Sequence, residues 1–378
     1  MVDREAIENY RPPASRVESV DGDRLRIYCG DELPAIGSAI ALTDDEDRGP
    51  LYAVTERHAG ARRVDAWLPL RPDWVRPHVS AAPTGQPAGF AAPTDAAIVP
   101  RPQMIRPMAD GDILLRPPTP EWTEIDGSPL PLAIGVDVLD VMAPICSGGV
   151  NLIIDTTDDG EPSRRLCQKI EATLAPDALL IAGDEKPELG EQVDDRAPFR
   201  VIREPSLRSQ IAALQFVIAL APVLRDSEKA LAVIDLPTLH SPQRTARTPS
   251  QVSRSEGVGA IIDRLGRHLV STADSQLTSV FVLRLPDGAD GLADIIETLH
   301  LGEVETTIYI DNDGRLDPRR SLSRCELDDD QISARRELLR VLNLARQADD
   351  KASLLGEVEL SDAERRAMDR VDQLRPFL

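Results

Sequence analysis

The chain has 378 residues, which suffice for two or three domains with sizeable hydrophobic cores. Asp and Glu total 64 against 43 Lys and Arg, so the net charge is −21. A field of that sign repels phosphate backbones and anionic lipids, which argues against nucleic-acid binding and against direct attachment to a membrane surface.

The spacing of the cysteines and the distribution of apolar residues indicate in which cellular compartment the protein is expected. The cysteines form no CxxC pair, which argues against structural zinc and against a disulfide framework; they are Cys29, Cys146, Cys167 and Cys325. The first residues are acidic and lack the apolar segment of a signal peptide. The longest apolar stretch, 211–224, is too short to cross a bilayer and contains Pro222. We expect a cytoplasmic protein, at most peripheral on the cytoplasmic face of a membrane.

The N-terminal part has a strand pattern. Residues 14–70 alternate polar and apolar positions in short runs, such as 24–28 and 64–68, separated by turn signals such as 21–23. This pattern predicts a small antiparallel β-barrel over residues 1–80. Nine prolines follow between Pro83 and Pro120. Because proline lacks an N–H and disfavours helix, we expect an extended connector over 81–130.

The central part alternates strand and helix patterns. Apolar runs at 150–154, 178–182, 230–234, 279–283 and 307–310 predict buried strands, and 163–174 and 206–225 predict helices. The alternation predicts a parallel, doubly wound α/β domain over 131–325. From 326 to 378 the pattern is helical, and Ser361 with Glu364 three residues later forms a capping-box motif. The fold class is therefore α/β, with a barrel before the parallel core and a helical bundle after it.

Local strings in this order resemble one family. Residues 116–122 (RPPTPEW) and 135–144 (GVDVLDVMAP) precede Gly148, Gly149 and the strand at 150–154. Further strings are 277–280 (LTSV), 308–309 with 316–324, 358–364 (VELSDAE) and 373–377 (QLRPF). Together they resemble the beta subunit of the F-type ATP synthase, of the rotary ATPase alpha/beta family, from about Arg16 to residue 378 with gaps. The resemblance implies a RecA-like core and side-by-side assembly into a hexameric ring around a coiled-coil stalk.

The phosphate loop departs from the family pattern G-x-x-x-x-G-K-[ST]. In that pattern glycines let backbone N–H groups approach phosphate, the lysine neutralises phosphate oxygens, and the hydroxyl binds magnesium. Here Gly160 remains, Asp155 and Asp158 stand at glycine positions, Glu161 replaces the lysine, and Pro162 replaces the hydroxyl. One pair of unit charges at about 4 Å is worth roughly 4 kcal/mol at an effective dielectric near 20. Several repulsions of that size predict that the loop does not hold a nucleotide triphosphate in the family's way.

Other positions follow from the resemblance. Asp184 stands where the family has the glutamate that positions the attacking water, and Glu185 replaces an arginine. Asp235 matches the aspartate that supports magnesium, although an aspartate after a strand is also a common loop or cap residue. Tyr309 matches a tyrosine that stacks on adenine, although it also fits an ordinary strand aromatic. We expect no working catalytic residue. The five histidines lack metal-ligand spacing, so we also expect no metal site.

The resemblance also supplies partners. Residues Glu359, Leu360, Ser361, Asp362 and Glu364 correspond to the acidic segment that faces the rotating stalk. The prediction is a non-catalytic, cofactor-free subunit of a hetero-oligomeric ring, with alpha/beta-like subunits and a central-stalk subunit as partners. Two alternatives stay open: a working ATPase or synthase subunit that binds Mg-ATP in a rearranged site, and a stand-alone scaffold protein.

Overall fold

The computed structural model describes residues 15–30, 33–43, 50–60, 62–92, 97–121, 130–183, 199–202, 207–236, 265–285, 304–355 and 360–374. They form two compact units of mixed α/β character. The first takes its residues from within 1–118 and 199–222, and the second from within 119–183 and 223–378. No helix in these ranges has the length and apolar character needed to span a membrane.

The strands and helices have the following bounds. The strands are β1 (Arg16–Asp21), β2 (Arg24–Tyr28), β3 (Ser38–Thr43), β4 (Leu51–His58), β5 (Arg63–Trp67), β6 (Ser80–Ala91), β7 (Ala97–Ile98), β8 (Arg106–Pro107), β9 (Asp112–Leu114), β10 (Leu130–Leu132), β11 (Ile145–Ser147), β12 (Val150–Asp155), β13 (Ala178–Gly183), β14 (Phe199–Ile202), β15 (Lys229–Asp235), β16 (Gln276–Arg284), β17 (Thr306–Ile310) and β18 (Leu322–Ser323). The helices are α1 (Asp137–Met142), α2 (Glu161–Leu174), α3 (Leu207–Arg225), α4 (Asp329–Leu355) and α5 (Asp362–Leu374), with a 3-10 turn at Pro102–Met104.

The first unit is built on an antiparallel sheet. Its strands follow the order β1-β2-β5-β4-β3-β6, and β1 also pairs with β6 through Arg16 and Ser80, so the path of strands returns to its start. Alternating side chains such as Val17, Leu25 and Ile40 are buried together inside this sheet. The strands predicted around 24–28 and 64–68 are confirmed as β2 and β5.

The structure differs from the connector expected over 81–130. Residues 80–91 form the twelve-residue strand β6, which pairs with β3, β8 and β9. Pro83 and Pro87 lie opposite β3 beside a shift in register, where a strand accepts a residue without an N–H. Phe90 of β6 is fully buried and its ring lies 4.7 Å from that of Phe216. The prediction of a connector, which was based on proline content alone, therefore missed the strand β6.

The second unit contains a parallel sheet. Within it the strand order is β17-β12-β16-β15-β13, and every neighbouring pair in this set is parallel. The strands expected from the five central apolar runs are all confirmed. Ile153, Val233 and Val280 from three of them pack with Ile170 of α2 in one core. The carboxyl ends of the strands meet at one edge, where open α/β sheets place ligands.

A disulfide overturns the expectation drawn from cysteine spacing. Cys146 of β11 is bonded to Cys325, which follows β18, with Cα atoms 6.0 Å apart. The bond joins positions 179 residues apart in sequence, so only the fold brings them together. Cys29 and Cys167 are free thiols and both are buried.

The C-terminal helices α4 and α5 pack against each other through Val341, Ala345 and Ala367. The capping box is confirmed at the start of α5. The Ser361 N–H donates to the Glu364 carboxylate at 2.6 Å, and the Glu364 N–H donates to the Ser361 hydroxyl at 3.3 Å. Lys351 of α4 lies 3.2 Å from the same carboxylate, so this ion pair also fastens the two helices.

Candidate functional site

The candidate site is the loop between β12 and α2. Strand β12 ends at Asp155, the loop runs through 156–160, and α2 begins at Glu161. This strand–loop–helix arrangement is the one on which phosphate-binding loops are built. Gly160 has φ 65°, in the left-handed region, and a Cβ there would come within 3.1 Å of the Arg284 side chain. The left-handed backbone conformation therefore favours glycine at this position.

The carboxylate of Asp155 fills the inside of this loop. Its side chain is fully buried, and Oδ1 accepts hydrogen bonds from the Thr157 N–H at 2.9 Å and from the Thr157 hydroxyl at 2.6 Å. Oδ2 accepts the N–H of Ser163 at 3.1 Å, in the first turn of α2. The N-terminus of a helix carries partial positive charge and free N–H groups, and it is a general anion site. Here the anion belongs to the protein itself.

Other backbone N–H groups of the loop are also engaged within the chain. The Gly160 N–H donates to the Thr157 hydroxyl at 3.2 Å, and the Glu161 N–H donates to Asp159 Oδ1 at 3.0 Å. The Thr156 N–H donates to the carbonyl of Ile310 in β17 at 3.1 Å. In a phosphate loop, N–H groups in such positions are kept for the ligand. This loop instead satisfies them internally.

Two acidic residues of the loop, Asp155 and Glu161, have partners within the chain. Glu161 forms ion pairs with Arg164 and, at 2.8 Å, with Arg165. Asp158 is exposed, while Asp155 is buried among its donors. Among the described residues no group of three or more His, Cys, Asp or Glu side chains is placed to hold a metal ion. The acidic side chains of the loop thus lie in different environments: Glu161 is paired with arginines, Asp158 is exposed and Asp155 is buried.

A second ion pair lies beside the loop. Arg284 at the end of β16 donates to Asp235 at the end of β15, with Nη2 and Oδ2 2.7 Å apart. The two side chains are 35% and 13% exposed. The resemblance implies that Asp235 supports a magnesium ion, whereas in this structure Asp235 pairs with the guanidinium of Arg284. Sequence reasoning missed Arg284, although a charged residue that closes an apolar strand at the sheet edge was a usable signal.

Cys167 of α2 carries a buried free thiol. Burial, with a smaller contribution from the negative charge of Asp235, raises the pKa of its thiol to about 12. A thiol with such a pKa is neither a thiolate nucleophile nor a metal ligand at neutral pH. Its position instead contributes to the apolar core under the loop.

Tyr309 lies in β17 and is 5% exposed. The guanidinium of Arg320 sits over its ring, 4.7 Å from the centroid, in a cation–π arrangement. One face of the ring is therefore covered by the chain itself.

Pro162 lies in the first turn of α2, where proline is tolerated, and its Cγ would come within 3.1 Å of a Cβ at Gly314.

The remaining predicted residues divide into three groups. Asp184, Glu185 and Glu359 lie outside the described residues. Leu360 is buried, and Ser361 and Glu364 are engaged in the capping box. Asp362 is exposed at the start of α5.

Comparison with known proteins adds no family to this description. No model of a known protein family matches the chain, and no curated protein sequence matches it.

Proposed function

We propose that the chain is a non-catalytic subunit of a rotary-ATPase-like ring, in which it plays a structural or regulatory part. The observation that carries the non-catalytic half is the Asp155 carboxylate, which holds the loop N–H groups that a nucleotide would need. The rotary half rests on the ordered sequence strings that resemble the beta subunit of the F-type ATP synthase.

The cost of opening the loop supports the proposal that this chain does not bind a nucleotide. Asp155 accepts three buried hydrogen bonds, and hydrogen bonds to charged groups contribute about 1.5–3 kcal/mol each, so releasing all three costs roughly 5–9 kcal/mol. A ligand of micromolar affinity gains about 8 kcal/mol in total. An opening cost of roughly 5–9 kcal/mol therefore offsets much of the binding energy of a nucleotide of micromolar affinity, before any repulsion between phosphate and Asp155 is counted.

The chain architecture supports an assembly role. A sheet whose path closes on itself supports a small barrel, and the parallel sheet with its strand–loop–helix supports a RecA-like core. The paired helices α4 and α5 follow as the C-terminal element. In this proposal the partners are alpha/beta-like ring subunits and a central-stalk subunit, and the chain reaches the membrane only through them. In this proposal the exposed Asp362 contacts the stalk subunit.

Affinity purification tests the proposal. The full chain carrying an affinity tag is isolated from native membranes, and the co-purifying chains are identified. We expect ATPase-like ring subunits and a stalk subunit in stoichiometric yield. We expect Asp362→Lys to lower the yield of the stalk subunit, whereas Asp369→Lys, which changes another exposed acid of α5, leaves it unchanged.

The opposite results separate the alternatives. A strictly monomeric chain with no ATPase-like partner would contradict the ring assignment and favour a stand-alone scaffold. Recovery of the ring together with bound Mg-ATP on this chain would favour a working subunit with a rearranged site.

A further inference from the structure

The disulfide lies where the C-terminal part of the chain leaves the parallel sheet. Cys146 belongs to the buried strand β11, whereas Cys325 stands between β18 and the start of α4 at Asp329. The bond therefore joins the interior of the second unit to the segment that carries α4 and α5.

Strand β18 has little non-covalent attachment of its own. It pairs with β17 through Leu322 and Ser323, and it is the last strand of its sheet in the part of the chain that the structure describes. The hydroxyl of Ser323 also donates to the carbonyl of Pro144 at 3.1 Å. A segment held by so few hydrogen bonds opens locally more readily than the central strands do.

The helices α4 and α5 pack on the rest of the second unit over a limited area. The hydrophobic cluster that they share is separate from the core of the parallel sheet. Helix α4 contacts α1, but none of its residues 329–340 is buried. Further along α4, a cavity of about 380 Å³ lies between both helices and the segment 311–319, and the Arg319 side chain crosses to the carbonyl of Leu342. The covalent bond therefore makes a large contribution to this attachment.

The two bonded cysteines have different surroundings. Cys146 is completely buried, and Asn151 holds its backbone by accepting its N–H at 2.8 Å and donating to its carbonyl at 3.0 Å. Cys325 is 6% exposed and lies between the exposed residues Arg324 and Glu326. A local opening of this surface segment would present the Cys325 sulfur to an external thiol, while Cys146 stays in the core.

We propose that this disulfide is a redox-operated latch: when oxidised it fastens β18, α4 and α5 to the parallel sheet, and when reduced it lets them separate from the sheet. The reductant is a dithiol, whose thiolate attacks the Cys325 sulfur to form a mixed disulfide, and Cys146 leaves as a thiolate that takes up a proton. The second thiol of the reductant then attacks its own sulfur in the mixed disulfide and releases Cys325 as a thiol. Two electrons and two protons pass to the chain, and the dithiol becomes a disulfide. This inference does not depend on the ring assignment.

Hydrogen exchange of the full chain, measured by mass spectrometry, tests the latch. The chain is compared before and after treatment with about 10 mM dithiothreitol without denaturant, and thiol labelling counts the free cysteines. On reduction, we expect the protection of α4 and α5 relative to β12 and β16 to fall by about tenfold or more, which corresponds to about 1.4 kcal/mol. The comparison with β12 and β16 removes the general loss of stability that follows the loss of any cross-link. Reoxidation should restore the protection.

Two variants separate the bond from the free thiols. Cys325→Ser removes the bond and should show the low relative protection with and without dithiothreitol. The matched control carries Cys29→Ala and Cys167→Ala, which remove the two free thiols and keep the bond, so it should respond to dithiothreitol as the wild-type chain does. Circular dichroism checks that each variant is folded, and the wild-type comparison requires neither variant.

Three results would overturn the inference. The first is a bond that resists dithiothreitol in the folded chain, which would make it a fixed structural cross-link. The second is an equal loss of protection in the two helices and in β12 and β16. The third is unchanged protection of α4 and α5 after the bond has been reduced.

Discussion

Removing the carboxylate of Asp155 is expected to destabilise the second unit. Asp155→Ala takes away the acceptor of two buried backbone N–H groups, those of Thr157 and Ser163. Each buried donor left without a partner costs about 1–3 kcal/mol, so we expect a loss of about 2–6 kcal/mol in the free energy of unfolding. Asp155→Asn keeps one acceptor oxygen but turns an NH₂ toward the other donor, and we expect about 1–3 kcal/mol.

Two measurements follow this change. Guanidinium chloride unfolding monitored by circular dichroism gives the change in free energy, and hydrogen exchange reports the protection of the Ser163 amide. Asp158→Ala is the matched control, because Asp158 is exposed in the same loop. Its effect should stay within about 0.5 kcal/mol.

An external anion should replace the missing carboxylate. If phosphate binds Asp155→Ala with a dissociation constant near 10 mM, then 100 mM phosphate stabilises the variant by about 1.4 kcal/mol over chloride of equal ionic strength. The wild-type chain should gain nothing, because Asp155 already fills the position. A variant with Asp155→Ala that is as stable as Asp158→Ala, with unchanged protection of the Ser163 amide, would refute the reasoning.

Further predictions concern the ion pair, the cysteines and the capping box. Arg284→Met should cost about 2–3 kcal/mol in guanidinium chloride unfolding, since it takes the guanidinium from the mostly buried Asp235, and an unchanged midpoint would count against the pair. Thiol titration of the unfolded, unreduced chain should find two thiols, and four after reduction; four before reduction would exclude the bond between Cys146 and Cys325. Cys146→Ser should cost about 2–4 kcal/mol. The hydrogen bond from the Ser361 N–H lowers the pKa of Glu364 from 4.5 to about 2. Stability of α5 is therefore complete above pH 4.5 and falls as pH drops toward 2, which hydrogen exchange of α5 measures. Glu364→Gln should abolish that dependence.

The parallel strands could be predicted from sequence because a strand buried on both faces is a continuous apolar run. Residues 150–154 and 230–234 have that form, and they became β12 and β15. The capping box could also be predicted, since its two members are three residues apart. Features that depend on residues close together in the sequence could thus be predicted without knowledge of the fold.

The content of the loop could not be predicted in the same way. The sequence singled out residues 155–162 as an altered phosphate loop and suggested repulsion from its acids. The actual partners of Asp155 depend on how the loop folds back on the first turn of α2, and Arg284 arrives from a strand more than a hundred residues later. The disulfide was missed for the same reason, because 179 residues separate its cysteines.

The strand β6 was missed because the prolines at 83 and 87 were given more weight than pairing. Proline is excluded from regular ladder positions but tolerated beside a bulge, and the bulge of β6 between Pro83 and Pro87 is defined only by its pairing with β3. No local rule applied to residues 80–91 alone contains that information.

Equilibrium dialysis of the full chain against labelled Mg-ATP tests most directly whether the loop is closed by its own carboxylate. We expect no saturable binding at about 1 mM nucleotide, the concentration at which a ligand gaining only about 4 kcal/mol would half-saturate the site. Saturable one-to-one binding in the micromolar range, with amides 156–163 protected from exchange by the nucleotide, would contradict the account.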